Sequence, residues 1–354
     1  MFTAPAKKLA YHDKKNYICI SNQFKTNTMQ NFNIPPLKFQ PILKSVIWGG
    51  EKIVPFKGIE TDQTKIGESW EISGVPSNPS VIANGPDKGK TLPEILKVYR
   101  EALVGAPVYK QYGDTFPLLI KIIDAAGDLS LQVHPDDELA RKRHNSLGKT
   151  EMWYIVDTDE DATICAGLKE SITPEQYEKM VADNTLMNVV AHHKSHPGDV
   201  FFLPAGRIHA IGAGNLLVEV QETSDVTYRI YDYGRVDAKT GKTRELHVEQ
   251  AKDAIDYKVY PDYQSQAGPE IDGISELVNC DHFSVYRLDI DGTKVFNPVV
   301  DTFTTLTCIE GEVTVVDDRG NEVSIHRGES ALIPAMAKTF TLKGKGTLID
   351  ACIC

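Results

Sequence analysis

The sequence predicts a mainly β protein, a sandwich or barrel with a few added helices. Short runs rich in β-branched and aromatic residues recur at 118–123, 129–133, 152–156, 200–203, 216–220, 304–308, 313–316 and 348–352. Gly, Pro, Asp and Asn turns separate them. No regular alternation of strand and helix accompanies them, which argues against a parallel α/β sheet. With 41% hydrophobic and 25% charged residues over 354 positions, there is ample material for a core.

The helices are few and well signalled. Thr91-Leu92-Pro93-Glu94 has the form of a capping box with proline in the first turn. Leu92, Ile95, Leu96, Tyr99 and Leu103 follow at helical spacing, as a stripe that packs on the core. Thr173-Pro174-Glu175-Gln176 repeats the start signal, with Tyr177, Met180 and Val181 behind it. A third helix is expected over about 247–255, with Val248, Ala251 and Ile255 facing inward.

Three segments are expected: a disordered extension at 1–28, a catalytic unit at 29–260 and a smaller β module at 261–354. The first is polar and lysine-bearing, with an apolar patch at 17–20 too short for a signal peptide. The Pro/Gly/Gln stretch 261–273 marks the second boundary. Beyond it, Gly328 to Pro334 repeats the form of Gly198 to Pro204, a glycine, five residues and a proline, which suggests related folds in tandem. No apolar run reaches the length of a membrane span. The six cysteines form no C-x-x-C pair and read as reduced thiols, so a cytoplasmic protein is expected. The net charge of −11 argues against a nucleic-acid partner and requires any phosphate pocket to be built from a few local cations.

In Ser130-Leu131-Gln132-Val133-His134-Pro135, strand parity puts Ser130, Gln132 and His134 on one face. Lys149 and Glu151 share a face by the same rule. The third piece, Gly198 through Pro204-Ala205-Gly206 to His209, has the form G-x5-P-x-G-x2-H and is similar to the second sequence motif of cupins. Its turn presents His209. Two imidazoles and a carboxylate from three strands can hold a divalent ion with positions open for substrate, and Gln132 can add a neutral oxygen. Each residue alone reads more simply as a satisfied polar core group; the pattern as a set favours a metal. His192, His193 and His196 look metal-binding by composition, but lie in a polar connection without an acidic partner nearby and are read as a solvated loop.

These residues resemble type I mannose-6-phosphate isomerase in its short bacterial form. The resemblance rests on the segments around Gln132, Glu151 and His209, on Glu219-Val220-Gln221-Glu222-Thr223-Ser224-Asp225-Val226-Thr227-Tyr228-Arg229-Ile230-Tyr231-Asp232-Tyr233, and upstream on Lys44-Ser45-Val46-Ile47-Trp48-Gly49-Gly50 and Gly67-Glu68-Ser69-Trp70-Glu71. It implies a cupin (jelly-roll) fold in two modules and one zinc ion per chain. The resemblance places Gln132, His134, Glu151 and His209 on the metal-ligand positions and Arg229 on the essential arginine. Glu219, Asp225, Lys149 and Ser130 fall on pocket positions, and Arg235 where longer members carry a lysine. The C-terminal module has Ala335 and Met336 where a ligand motif would continue, so it is expected to bind no metal.

Isomerisation of mannose 6-phosphate to fructose 6-phosphate moves a proton between C2 and C1 through an enediolate, whose charge needs a cationic setting. Arg229 stays protonated and is assigned charge stabilisation or orientation. Glu219 is the first candidate for proton transfer, approaching Arg229 across a strand pair turned at 223–225, with a plain buried salt bridge as the rival reading. Lys149 is the favoured cation near the metal, followed by Arg235 and the Ser130 hydroxyl; Lys44 and Trp48 are candidate walls. The expected partner is a small sugar phosphate, and the expected state a monomer or homodimer. A metal-dependent cupin dioxygenase and a non-catalytic sugar-binding cupin are the competing functions.

Overall fold

The computed structural model describes residues 32–236 and 241–353; the extension expected at 1–28 lies outside them, as do Cys19 and Cys354. The strands form three sheets, and every strand pairing is antiparallel. A seven-stranded sheet runs Gln264–Ser265, Val200–Leu203, Glu151–Thr158, Asn215–Glu222, Leu118–Ala125, Ile42–Gly50, Ile66–Ser73. A five-stranded sheet runs Tyr228–Tyr231, Leu131–Val133, His209–Ile211, Thr163–Leu168, Val190–Lys194. Both faces of the strand Leu118–Ala125 are buried, which is why apolar residues occupy both parities of it, interrupted by the buried Lys121 and Asp124. Trp48, Ile123, Trp153, Ile155, Ile164, Phe201 and Leu217 form one buried cluster drawn from both sheets.

The third sheet has eight strands and is built mainly from the C-terminal part, around the long strands Ser284–Phe296, Thr304–Asp317 and Phe340–Cys352. Two expected strands, 304–308 and 313–316, are one strand of 14 residues. The sequence reads as a turn at Glu310-Gly311-Glu312, but a bulge after Cys308 absorbs it. Gly311 takes φ +74°, and a Cβ there would lie 2.1 Å from the Lys345 carbonyl.

The three expected helices are present as Leu92–Tyr99, Pro174–Ala182 and Val248–Ala254. Thr91 with Glu94, and Thr173 with Gln176, form reciprocal capping boxes. The first helix stops at Arg100, whose φ is +47°, and the short helix Glu101–Val104 then carries Leu103 into the same core. Helices at Ile53–Lys57 and Ala106–Tyr112 pack apolar residues on the core but are too short to show a clear helical period, and Asp137–His144 buries only Ala140. The reading of His192 and His193 as loop residues is corrected: both lie on the strand Val190–Lys194, where backbone pairing with Thr163–Leu168 overrides their polar composition. Among the described residues, no helix is long and apolar enough to cross a membrane.

The C-terminal sheet is joined to the rest by backbone, core and charge. Leu37–Gln40 pairs with Ser330–Ile333, with Leu37 opposite Leu332. The largest core combines Leu96, Phe116 and Ile120 with Phe303, Leu332 and Ile349; the Phe116 and Phe303 rings lie 4.7 Å apart. At its edge the Lys57 ammonium sits 2.6 Å from the Glu71 carboxylate and also donates to the Gly328 carbonyl, all out of water. Removing one member of such a pair strands the other charge. Lys57→Met is therefore expected to cost roughly 3–5 kcal/mol of unfolding free energy, read by denaturant titration, with Lys57→Met/Glu71→Leu recovering much of it.

A second polar join involves His282, whose Nδ1 lies 3.0 Å from Glu222 Oε1. That hydrogen-bonded carboxylate outweighs partial burial and raises the imidazole above its usual 6.5. A raised folded-state value means that the stabilisation is complete below about 6.5 and fades as pH rises through the raised value. His282→Gln should thus lower the melting temperature more at pH 6 than at pH 9, the difference being read by paired thermal scans.

Candidate metal centre

Three pieces of chain converge where the five- and seven-stranded sheets approach. In the first, Gln132 pairs with both His209 and Arg229, and His134 follows directly on the strand. The second is Glu151, at the start of a strand of the other sheet, opposite Leu203. The third is the turn after Leu203. Arg207 N donates to Pro204 O at 3.0 Å, closing the turn, and Gly206 N donates to His134 O at 2.9 Å. Gly206 has φ +90°, and a Cβ there would lie 2.9 Å from the Ala254 carbonyl, so the glycine fits both conformation and space. This turn links the backbone of His134 to that of His209.

The side chains of His134, Glu151 and His209 are all buried and offer ligand atoms within 4.8 Å of one another. The two Nε2 atoms are 3.2 Å apart. Glu151 Oε1 is 3.1 Å from His209 Nε2, and Oε2 is 3.6 Å from His134 Nε2. His134 Nδ1 donates to the Val226 carbonyl at 2.9 Å and His209 Nδ1 to the Arg207 carbonyl at 2.8 Å. A proton on Nδ1 leaves Nε2 of each ring free to face the other and to ligate. Neither oxygen of Glu151 accepts a well-formed hydrogen bond, although the Lys149 ammonium lies 2.9 Å from Oε2 and 3.0 Å from His134 Nε2. The Lys149 ammonium offsets part of the negative charge, and two imidazole nitrogens converging with a buried carboxylate form a donor set that fits a divalent ion. Burial pushes the Glu151 carboxyl up, but Lys149, His209 and His134 together hold it well below its usual value. Burial, then Lys149, keeps His134 well below its own, neutral and able to ligate. The Gln132 amide is 3.3 Å from His209 Nε2, and a half-turn of its end group would offer its oxygen instead.

A cavity of about 140 Å³ opens beside the cluster. Ser130, Gln132, Lys149, Glu219 and Arg229 line it, together with Trp48, which is also part of the core. Asp225 is exposed and is not among the lining residues. Arg235 is not among them either; it hydrogen-bonds Asp232 and the Asp128 carbonyl. Lys44 lies over the Trp70 ring and bonds Asn78. The expected pairing of Glu219 with Arg229 is corrected, because their strands belong to different sheets. Glu219 Oε1 instead lies 2.8 Å from the Lys121 ammonium, and Oε2 accepts from Trp153 Nε1 at 2.8 Å. Arg229 donates through Nη1 to the Glu245 carbonyl at 3.2 Å, while its Nε is buried without a hydrogen-bond partner. Burial and then the neighbouring Arg244 push its guanidinium below the usual value, against Asp232.

Glu68, Lys121 and Arg244 also line the cavity and were missed in the sequence. A lysine inside the apolar run 118–125 was the one available signal for Lys121. The lining includes four cations (Lys121, Lys149, Arg229, Arg244) against two carboxylates (Glu68, Glu219), a local positive excess in a chain of net charge −11. Asp137, Glu222 and His282 also cluster, but at the join to the C-terminal sheet. Among the described residues, neither cluster lies wholly within 261–354.

Residues 37–184 match the family described as phosphomannose isomerase type I, catalytic domain, and residues 273–353 match the mannose-6-phosphate isomerase cupin domain. A mannose-6-phosphate isomerase of Bacillus subtilis (strain 168) is 37% identical over 313 residues, covering 87% of this chain and 96% of its own. One from Streptococcus mutans is 33% identical over 87% of this chain and 95% of its own. The crystal structure of a mannose 6-phosphate isomerase from Bacillus subtilis superposes with a TM-score of 0.80 at 35% identity, over 90% of this chain and 99% of that one.

Proposed function

This chain belongs to the type I phosphomannose isomerase family, whose reaction is an aldose–ketose isomerisation, and from that premise we propose that it uses one zinc ion and an enediolate path to interconvert mannose 6-phosphate and fructose 6-phosphate. The observation that carries the proposal is the convergence of two imidazole nitrogens and a buried carboxylate, ion-paired to Lys149, beside a cationic cavity. His134, Glu151 and His209 would hold the ion, with the Gln132 amide oxygen as fourth ligand. Bound zinc supplies Lewis acidity toward the sugar's oxygens. Two imidazoles and a carboxylate also suit ferrous oxygenases, but isomerisation involves no net oxidation, so a redox-inert ion suffices.

Arg229 is positioned to stabilise the enediolate. Its Nε is a buried donor with no partner, a costly arrangement that a substrate oxygen would relieve. Glu219 is our candidate for the proton shuttle between C2 and C1, and Lys121 and the Trp153 indole fix its orientation. Lys149 adds positive charge next to the metal ligands, and Ser130 offers a hydroxyl. The C-terminal sheet buttresses the catalytic sandwich without a metal of its own, and the enzyme acts in the cytoplasm. Turnover of mannose 6-phosphate in deuterium oxide tests the path. Solvent deuterium should enter C1 of fructose 6-phosphate, whereas full retention of protium over many turnovers would contradict an enediolate.

A further inference from the structure

No motif marks Arg244, yet its surroundings single it out. Three guanidiniums, from Arg229, Arg235 and Arg244, gather around one buried carboxylate, Asp232. Arg235 is consumed locally: Nε and Nη2 go to Asp232, and Nη1 goes to the Asp128 carbonyl. Arg244 is anchored by the same carboxylate, with Nε 2.8 Å from Oδ2 and Nη2 on Oδ1, but it also lines the cavity beside Arg229 and Lys149. Asp232, even with the nearby Glu245, does not balance three crowded guanidiniums. In a chain of net charge −11 such local excess calls for an anion, and a guanidinium fork matches phosphate oxygens.

We propose that Arg244, held in place by Asp232, binds the phosphate of the substrate and is the residue by which the cavity selects phosphorylated over unphosphorylated sugars. Arg235 shares the Asp232 anchor without lining the cavity and is a positioning residue. The proposal rests on the sugar-phosphate reading above, but makes a separable claim about anion binding.

Steady-state kinetics of the zinc-loaded Arg244→Gln and Arg244→Lys variants test it, with inorganic phosphate as competitive inhibitor. Loss of a charge-assisted contact should raise both the KM for mannose 6-phosphate and the Ki for inorganic phosphate about ten- to a hundredfold in Arg244→Gln. In the same variant kcat should stay within about threefold and bound zinc should be unchanged. Arg244→Lys should fall between the two and carries the test if the glutamine variant does not fold. KM and Ki within about twofold of the parent in the folded variants would overturn the proposal, as would a collapse of kcat with both constants unchanged. If the parent binds phosphate by calorimetry, loses it in Arg244→Gln, yet never converts mannose 6-phosphate, the isomerase reading fails and this one stands.

Discussion

Glu151→Gln should cost about 10³-fold or more in turnover and release the metal with it, which corresponds to roughly 4 kcal/mol of lost transition-state stabilisation. Glu151 is fully buried and, among the described residues, is the carboxylate that clusters with the two facing imidazoles. The amide keeps the shape but removes the charge that balances a divalent ion. It also leaves the Lys149 ammonium, 2.9 Å away in the native protein, without its counter-charge. Activity and metal content should therefore fall together, as measured by kinetics and by metal analysis of the same sample. Glu151→Gln with full metal and near-native kcat would remove Glu151 from the ligand set.

Arg229→Ala should separate the two functions that Glu151 joins. Its backbone lies opposite Gln132, but its guanidinium touches none of the three clustered ligands, so the metal should remain. Loss of a preorganised cationic donor to the developing charge should lower kcat about 10²–10³-fold. Arg229→Lys should restore little, because an ammonium cannot reach the Glu245 carbonyl and the substrate with the same fork. A kcat within about fivefold of the parent would assign Arg229 to structure alone.

Much of this site is written in local sequence rules. Strand parity put Gln132 with His134 and Lys149 with Glu151, and the Pro204-Ala205-Gly206 turn pointed to His209. These succeed because side-chain direction along a strand and the geometry of a tight turn depend on neighbours in the chain. The capping boxes at Thr91 and Thr173 were legible for the same reason. One failure lies where partners come from different sheets. Glu219 and Arg229 are ten positions apart and looked like a hairpin pair, but the chain changes sheets between them, and Lys121 takes the place expected of Arg229. Arg244 went unread because its placement depends on Asp232, twelve positions away in the sequence. The helix Asp137–His144 went unread because its sequence, Asp-Glu-Leu-Ala-Arg-Lys-Arg-His, buries one alanine and offers no periodic face.

The most direct test of the account titrates zinc into chelator-stripped protein, measuring bound metal and the rate of conversion of mannose 6-phosphate to fructose 6-phosphate in parallel. Activity should rise in proportion to occupancy and level off at one ion per chain, a site that His134→Ala and His209→Ala variants should lack. Stripped protein, verified free of metal and as active as the loaded form, would contradict the account.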